Sequence, residues 1–229
     1  MKSASNHKFF KRELHNDLED LYVFLHKVNN LIVNEELFKI DTVKDHTMTR
    51  FPKDLFMNKK DSIPSITTDY YNIFQFKHPA LINLLKAIKS MTIEACSHYG
   101  VQFEDYEFAV HGWFNLYTVE NRASEQEIMK KEKRDDLPWH DHGGDGFPSL
   151  HGYYSVSAEP SNTYYKVFDK DVTIDNKNNV ALLSETGHLH AMAPWRLDKN
   201  RITIAYDVVP INKKIDPIST YFDNKVLLL

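Results

Sequence analysis

The chain has 229 residues, enough for one domain with a substantial buried core. Its net charge of -4 and the absence of a basic stripe argue against a nucleic-acid binder, and a 42% hydrophobic composition fits a globular protein. Cys96 is the only cysteine, which excludes an intrachain disulfide and a Cys-based zinc cluster. The opening MKSASNHKFFKRELHNDLED lacks an apolar core of signal-peptide type, and no run of about 18 apolar residues suggests a membrane span. The expected compartment is therefore the cytoplasm.

In chain order, the first element reads as a helix. Leu14, Leu18, Leu21, Leu25, Val28 and Ile32 step by four or three and form one apolar stripe, which helices bury against a domain. Residues 41 to 75, with Pro52 and Pro64, read as irregular. A second helix is expected from about Pro79 to Tyr99, with Leu81, Leu84, Leu85, Ile88, Met91 and Ala95 at helical spacing. Proline suits its first turn and Gly100 the position just past its end. After Gly100 the period becomes two. In EFAVHGWFNLYTV, Trp113, Asn115 and Tyr117 share one face, and Phe114, Leu116 and Thr118 the other.

Residues 120 to 138 are charge-dense and nearly free of large apolar side chains. They read as a solvated loop or short exposed helix, with a flap over a site as the sharper alternative. Further strands are expected at LHGYYSVS, TYYKVFD, NVALLSE and RITIAYDVV. Helices followed by an all-β half predict an α+β protein in which N-terminal helices brace a β-barrel or jelly roll. The expected organisation is a single domain over 1-229, with mainly helical support in 1-100, the barrel in 101-212 and a tail in 213-229.

The densest stretch is LPWHDHGGDGFPSLHGYYSVS, residues 137 to 157. On the end of a strand, His140 and His142 would point the same way, roughly 7 Å apart at Cα, and could converge on one metal ion. Asp141 would point the other way, and the following glycines would let the backbone turn. The plainer alternative is a pair of solvated surface histidines. A second cluster adds His188, His190 and Arg201. Arg201, Thr203 and Ala205 share one face of a clean alternating strand. An inward arginine needs a partner, and a carboxylate is the natural one, bound bidentately with Thr203 adding a hydroxyl. A surface position or an internal salt bridge is the alternative for Arg201. Trp139 and Trp195 flank the two histidine segments as core residues or as walls of a substrate cavity.

The order W-x-N (Trp113 to Asn115), H-x-H (His140, His142), G-Y-Y (Gly152 to Tyr154), H-A-M-A-P (His190 to Pro194) and R-I-T-I-A (Arg201 to Ala205) resembles the iron(II)/2-oxoglutarate-dependent oxygenases. More narrowly, it resembles a branch that carries H-x-H in place of H-x-D. The resemblance covers residues 105 to 210 and includes the eleven-residue step from His190 to Arg201. It implies a double-stranded β-helix, a jelly-roll or cupin-like barrel. It implies His140 as the first iron ligand and His190 as the distal one. Arg201 with Thr203 would hold the far carboxylate of 2-oxoglutarate, and Asn115, Tyr117 and Tyr154 would line the cosubstrate pocket. His188 stays in reserve, since the spacing to Arg201 favours His190.

The wider superfamily uses two histidines and one carboxylate. Here the carboxylate position is His142, and three third ligands compete: His142 itself, Asp145 from the Gly-Gly loop, or Asp141 if strand alternation is lost. Same-face geometry and the narrower branch favour His142. The implied activity is hydroxylation of a substrate that the sequence does not identify, using dioxygen and releasing succinate and carbon dioxide. The other classes are a non-oxidative metalloenzyme of cupin-like shape, which would have no need of an inward Arg201, and a metal-binding barrel without turnover.

Overall fold

The protein is described here from a computed structural model, in which residues 7–33, 66–67, 72–117, 139–142, 146–211 and 226–228 are described. The elements in chain order are β1 (Phe10–Glu13), α1 (Leu18–Val33), β2 (Ile66–Thr67), α2 (Pro79–His98) and β3 (Glu107–Tyr117). They continue with β4 (Leu150–Ser157), β5 (Asn162–Val167), β6 (Lys170–Asp175), β7 (Val180–Glu185), β8 (Leu189–Met192), β9 (Arg201–Ile211) and β10 (Val226–Leu227).

The helices start and stop where local chemistry dictates. The Asp17 carboxylate accepts from the Glu19 and Asp20 amides and starts α1, which leaves Leu14 of the expected stripe ahead of the helix. Leu21, Leu25 and Val28 then bury one face. α2 has His78 as its cap, accepting from the Ala80 amide at 3.3 Å, with Pro79 in the first turn. It ends on Gly100 at φ +75°. The Gly100 amide donates to the Ser97 carbonyl and the Val101 amide to the Cys96 carbonyl, so the last turn closes on itself.

All strand pairs are antiparallel and fall into two sheets. The larger runs β1-β7-β4-β9-β3-β10, with β2 also on the outer edge of β3, and the smaller runs β6-β5-β8. One face of the large sheet carries Phe114, Tyr154, Leu183, Ile204, Tyr206 and Val208, which pack with Leu21, Leu25, Leu84, Ile88 and Met91 of the helices. The opposite face carries Tyr153 and Leu182, which meet Tyr165, Val167 and Ile174 of the small sheet. The layers are therefore helices, large sheet, small sheet. The strand alternation decides which side chains go to the helices and which to the space between the sheets.

Two strands were not expected. Within residues 1-100, expected as mainly helical support, β1 pairs with β7 over Phe10 to Glu13 and forms an edge of the large sheet. Four residues, with only Phe10 fully buried, give too short an alternation to be read from the sequence. The strand β6 was likewise unexpected, because its residues are mostly exposed and polar. The irregular stretch expected over 41 to 75 and the flap or loop expected over 120 to 138 lie outside the described residues, β2 and residues 72 to 75 aside. Most of the expected 213–229 tail does too. Among the described residues no helix is long and apolar enough to cross a membrane.

Candidate metal centre

His190 sits in β8, the edge strand of the small sheet, and His140 continues that sheet by one residue. The two exchange backbone hydrogen bonds, His140 N–H to the His190 carbonyl at 3.0 Å and His190 N–H to the His140 carbonyl at 2.8 Å. Directly paired residues share a face, so both rings point the same way, 4.4 Å apart at their centroids. On the other side of His190 its partner is Tyr165, whose ring stacks on it at 5.3 Å.

His142 lies just beyond that bridge rather than within a strand, yet its ring reaches the same place. It is 5.6 Å from the His140 ring and parallel to the His190 ring at 5.1 Å. Single ligand atoms of His140, His142 and His190 all lie within 4.8 Å of one another, a set that one metal ion could gather.

The large sheet supplies the opposite wall. In register across β3, β9 and β4, Tyr117 pairs with Arg201, Asn115 with Thr203 and Ser155, Trp113 with Ala205 and Tyr153, and His111 with Asp207 and His151. These rows share the face that looks toward the small sheet. His151 is buried, its Nδ1 2.9 Å from Asp207 Oδ1, and His142 Nδ1 lies 3.3 Å from the same oxygen. The His142 and His151 rings stack at 3.5 Å, and Trp113 stacks on His142 at 5.5 Å.

The electrostatics follow from burial and crowding. Burial, and then the neighbouring imidazoles, push His190 down to about 2 and His151 down to about 4. Both are therefore neutral near pH 7, the state in which imidazole offers a lone pair to a metal. Burial pushes the Asp207 carboxyl up, but hydrogen bonds from His142 and His151 outweigh it and hold Asp207 well below the usual range. It is an ionised carboxylate beside a group of histidines.

Arg201 opens β9 and is 5% exposed. No carboxylate among the described residues pairs with it, and its Nε has no hydrogen-bond partner. Burial lowers its pKa to about 10, against the opposing influence of Tyr153 and Tyr117. Thr203 is buried one step along on the same face. The buried Ser155 hydroxyl beside it in register, and the Tyr165 hydroxyl on the facing sheet, are also without partners. Three orphaned buried polar groups thus stand between the two sheets.

The remaining candidates fall elsewhere. Tyr154 was expected at the cosubstrate pocket, but it points to the helix side, paired in register with Ile204. There its hydroxyl meets Asn16 at 3.1 Å and Asn179 at 2.5 Å. Tyr153, one residue earlier, faces Arg201's side, because strand alternation sends neighbours to opposite faces. His188 belongs to another group, with His7 and Glu185. Asp141 is exposed and joins none of the metal-capable groups among the described residues, and Asp145 lies outside those residues. Trp195 is buried with its indole N–H donating to the Lys199 carbonyl, and Trp139 lies under the Lys166 ammonium.

No family model matches the chain, and no curated protein matches it. Solved structures do. The non-heme alpha-ketoglutarate-dependent epimerase SnoN from nogalamycin biosynthesis aligns at a TM-score of 0.52 and 10% identity, over 98% of this chain and 95% of that one. HygX from Streptomyces hygroscopicus, solved with nickel and 2-oxoglutarate bound, gives 0.51 and 9%, over 90% and 84%. A prolyl-4-hydroxylase from Pseudomonas putida gives 0.50 and 8%, over 89% and 93%. The chain has the fold of the 2-oxoglutarate oxygenases.

Within that oxygenase fold, His151 and Asp207 are the site residues that sequence reasoning missed. Asp207 continues the alternation of Arg201, Thr203 and Ala205 by one more step, a signal that was available. His151 gave none of its own, because only the β4–β9 register sets it opposite Asp207.

Proposed function

We propose that the protein is an iron(II)- and 2-oxoglutarate-dependent oxygenase that hydroxylates a second substrate and releases succinate and carbon dioxide. The facing sheets correspond to a double-stranded β-helix braced by the N-terminal helices, with the catalytic core in residues 101-212. One observation carries the reading: three imidazoles converge between two sheets, and the same space holds a buried guanidinium with which no carboxylate among the described residues pairs. A metal-binding barrel without 2-oxoglutarate has no use for the second feature, and an unpaired buried charge is costly to keep.

His140, His142 and His190 are the residues that would hold the iron. The donor set fits: neutral imidazoles suit iron(II), and the orphaned Arg201 Nε fits a carboxylate ligand. When bound, iron(II) and 2-oxoglutarate would activate dioxygen, the oxidant: the 2-oxo acid would lose carbon dioxide and take one oxygen atom to become succinate, and the other oxygen atom would enter a substrate C–H bond. The chain's own residues bind and orient. Arg201, with Thr203 beside it, takes the distal carboxylate of 2-oxoglutarate, and Asn115, Tyr117 and Tyr153 stand on the same face as its walls. Asp207 Oδ1, 3.3 Å from His142 Nδ1, would accept a hydrogen bond from that N–H, which would fix the tautomer and leave Nε2 as the lone-pair donor. It also returns a negative charge one bond-network away from a centre whose usual carboxylate is here an imidazole.

The test is anaerobic addition of iron(II) and 2-oxoglutarate to the metal-free protein. A weak visible charge-transfer band is expected, and His140→Ala and His190→Ala should each abolish it together with iron retention. Iron retained at the wild-type level in both variants overturns the assignment.

A further inference from the structure

A second group of ligating side chains stands apart from the imidazoles around His190. His7, ahead of β1, places Nδ1 3.0 Å from Glu185 Oε1 at the end of β7, and His188 Nε2, in the turn into β8, lies 3.6 Å from the same oxygen. Their side chains are only 5%, 8% and 12% exposed, and single ligand atoms of all three lie within 4.8 Å of one another. The second Glu185 oxygen accepts from the Phe147 amide at 3.3 Å, which fixes the carboxylate plane. Aromatic rings close the surroundings: Phe9 against His7 at 4.7 Å, Phe168 against His188 at 5.2 Å, and Tyr99 stacked on Phe147. His7 Nε2 is buried and has no hydrogen-bond partner.

We propose that His7, Glu185 and His188 form a second metal site, for a divalent ion of borderline softness such as zinc. Donors around tetrahedral zinc, at about 2.0–2.1 Å from the ion, stand about 3.3 Å from one another. The two distances to Glu185 Oε1, 3.0 and 3.6 Å, bracket that spacing. Two histidines and one carboxylate are a donor set that zinc takes, with a fourth position for water. Hydrogen bonding alone asks one Glu185 oxygen to serve both buried rings, whereas one ion would take a donor atom from each of the three side chains. Two features expected around a metal-bound carboxylate are present, a backbone donor on its free oxygen and neighbouring aromatic rings. An ion here clamps the segment before β1 onto the β7–β8 turn. His188 is two residues from His190, so the clamp also fixes the approach of the small sheet's edge to the other metal centre.

The experiment counts zinc. Chelator-treated protein is titrated with zinc sulfate by calorimetry, and bound metal is counted after gel filtration, for wild type, His7→Ala, Glu185→Gln, His188→Ala and His190→Ala. Wild type should bind two equivalents. His7→Ala should lose one and keep the other, and His190→Ala should show the converse. Cobalt(II) in His190→Ala should give the intense visible bands of a tetrahedral ion, and these should vanish in His7→Ala/His190→Ala. Should Glu185→Gln fail to fold by circular dichroism, His7→Ala decides, since His7 lies outside every strand and helix. One equivalent in wild type, lost in His190→Ala but kept in His7→Ala, overturns the second site and leaves the oxygenase reading standing. One equivalent kept in His190→Ala but lost in His7→Ala upholds the second site and sinks the oxygenase reading.

Discussion

Among the described residues no carboxylate pairs with the buried Arg201 guanidinium, which is the ground for proposing it as the cosubstrate's partner. Burial disfavours its charge, with Tyr153 and Tyr117 opposing that, so a carboxylate ligand would gain both Coulomb attraction and hydrogen bonds. Arg201→Ala should weaken 2-oxoglutarate binding by about 2–5 kcal/mol, the scale for a desolvated charge pair that loses one partner. Iron affinity should stay as in wild type. Arg201→Lys should recover part of the loss, because an ammonium lacks the planar fork. Isothermal titration with 2-oxoglutarate checks this, and an unchanged affinity in Arg201→Ala removes the residue from the site. At the other end, His142 and Asp207 act as a pair. His142→Ala should lose iron, whereas Asp207→Asn should lower iron affinity about 10–100-fold, as loss of an outer-shell carboxylate does. Asp141→Asn and Asp145→Asn should retain iron. If Asp145→Asn loses iron and His142→Ala keeps it, the ligand set is two histidines and a loop carboxylate.

Strand β4 shows how an element divides labour between its faces. His151, Tyr153 and Ser155 look to the small sheet, while Gly152 and Tyr154 look to the helices. Gly152 is required there by space: a Cβ would collide with the Leu182 carbonyl oxygen and the Tyr206 ring. The Tyr154 hydroxyl ties Asn16, ahead of α1, to Asn179, ahead of β7. Tyr154→Phe should therefore cost about 1–2 kcal/mol of stability, from the two hydrogen bonds lost while Asn16 and Asn179 keep their other partners, with no change in 2-oxoglutarate affinity. Denaturant melts and ligand titration on the same variant separate the two effects. A loss of affinity at unchanged stability would return Tyr154 to the cosubstrate pocket.

For the molecule as a whole, three layers explain where the site lies. The helices cover one face of the large sheet with a broad apolar core, so the polar and ionisable residues of that sheet concentrate on the other face. The small sheet meets that face through a modest apolar patch around Tyr153, Tyr165 and Leu182. Beside it the gap between the sheets is lined by histidines, Asp207 and Arg201 instead of being sealed by aliphatic packing. In the proposed site the small sheet would supply His140 and His190 and the large sheet Arg201, so bound metal and cosubstrate would link the two sheets.

The sequence by itself determined the element types and much of their extent. Helical and strand periods are local properties, and α2, β3, β4, β7 and β9 carry them over six residues or more. It also determined which residues of one strand share a face, so Arg201 and Thr203 were legible as a pair, and the H-x-H pair with His190 was legible as donor chemistry. Tertiary structure decided everything that depends on register or on contacts between distant segments. Strand alternation does not say which face meets helices and which meets the second sheet, and that choice put Tyr154 on the helix side and Tyr153 on the side of Arg201. Only the pairing of β4 with β9 sets His151 against Asp207, 56 residues apart. Only the pairing of β1 with β7 brings His7 to Glu185, 178 residues away, because no local pattern encodes a contact between segments that meet only when the sheet forms.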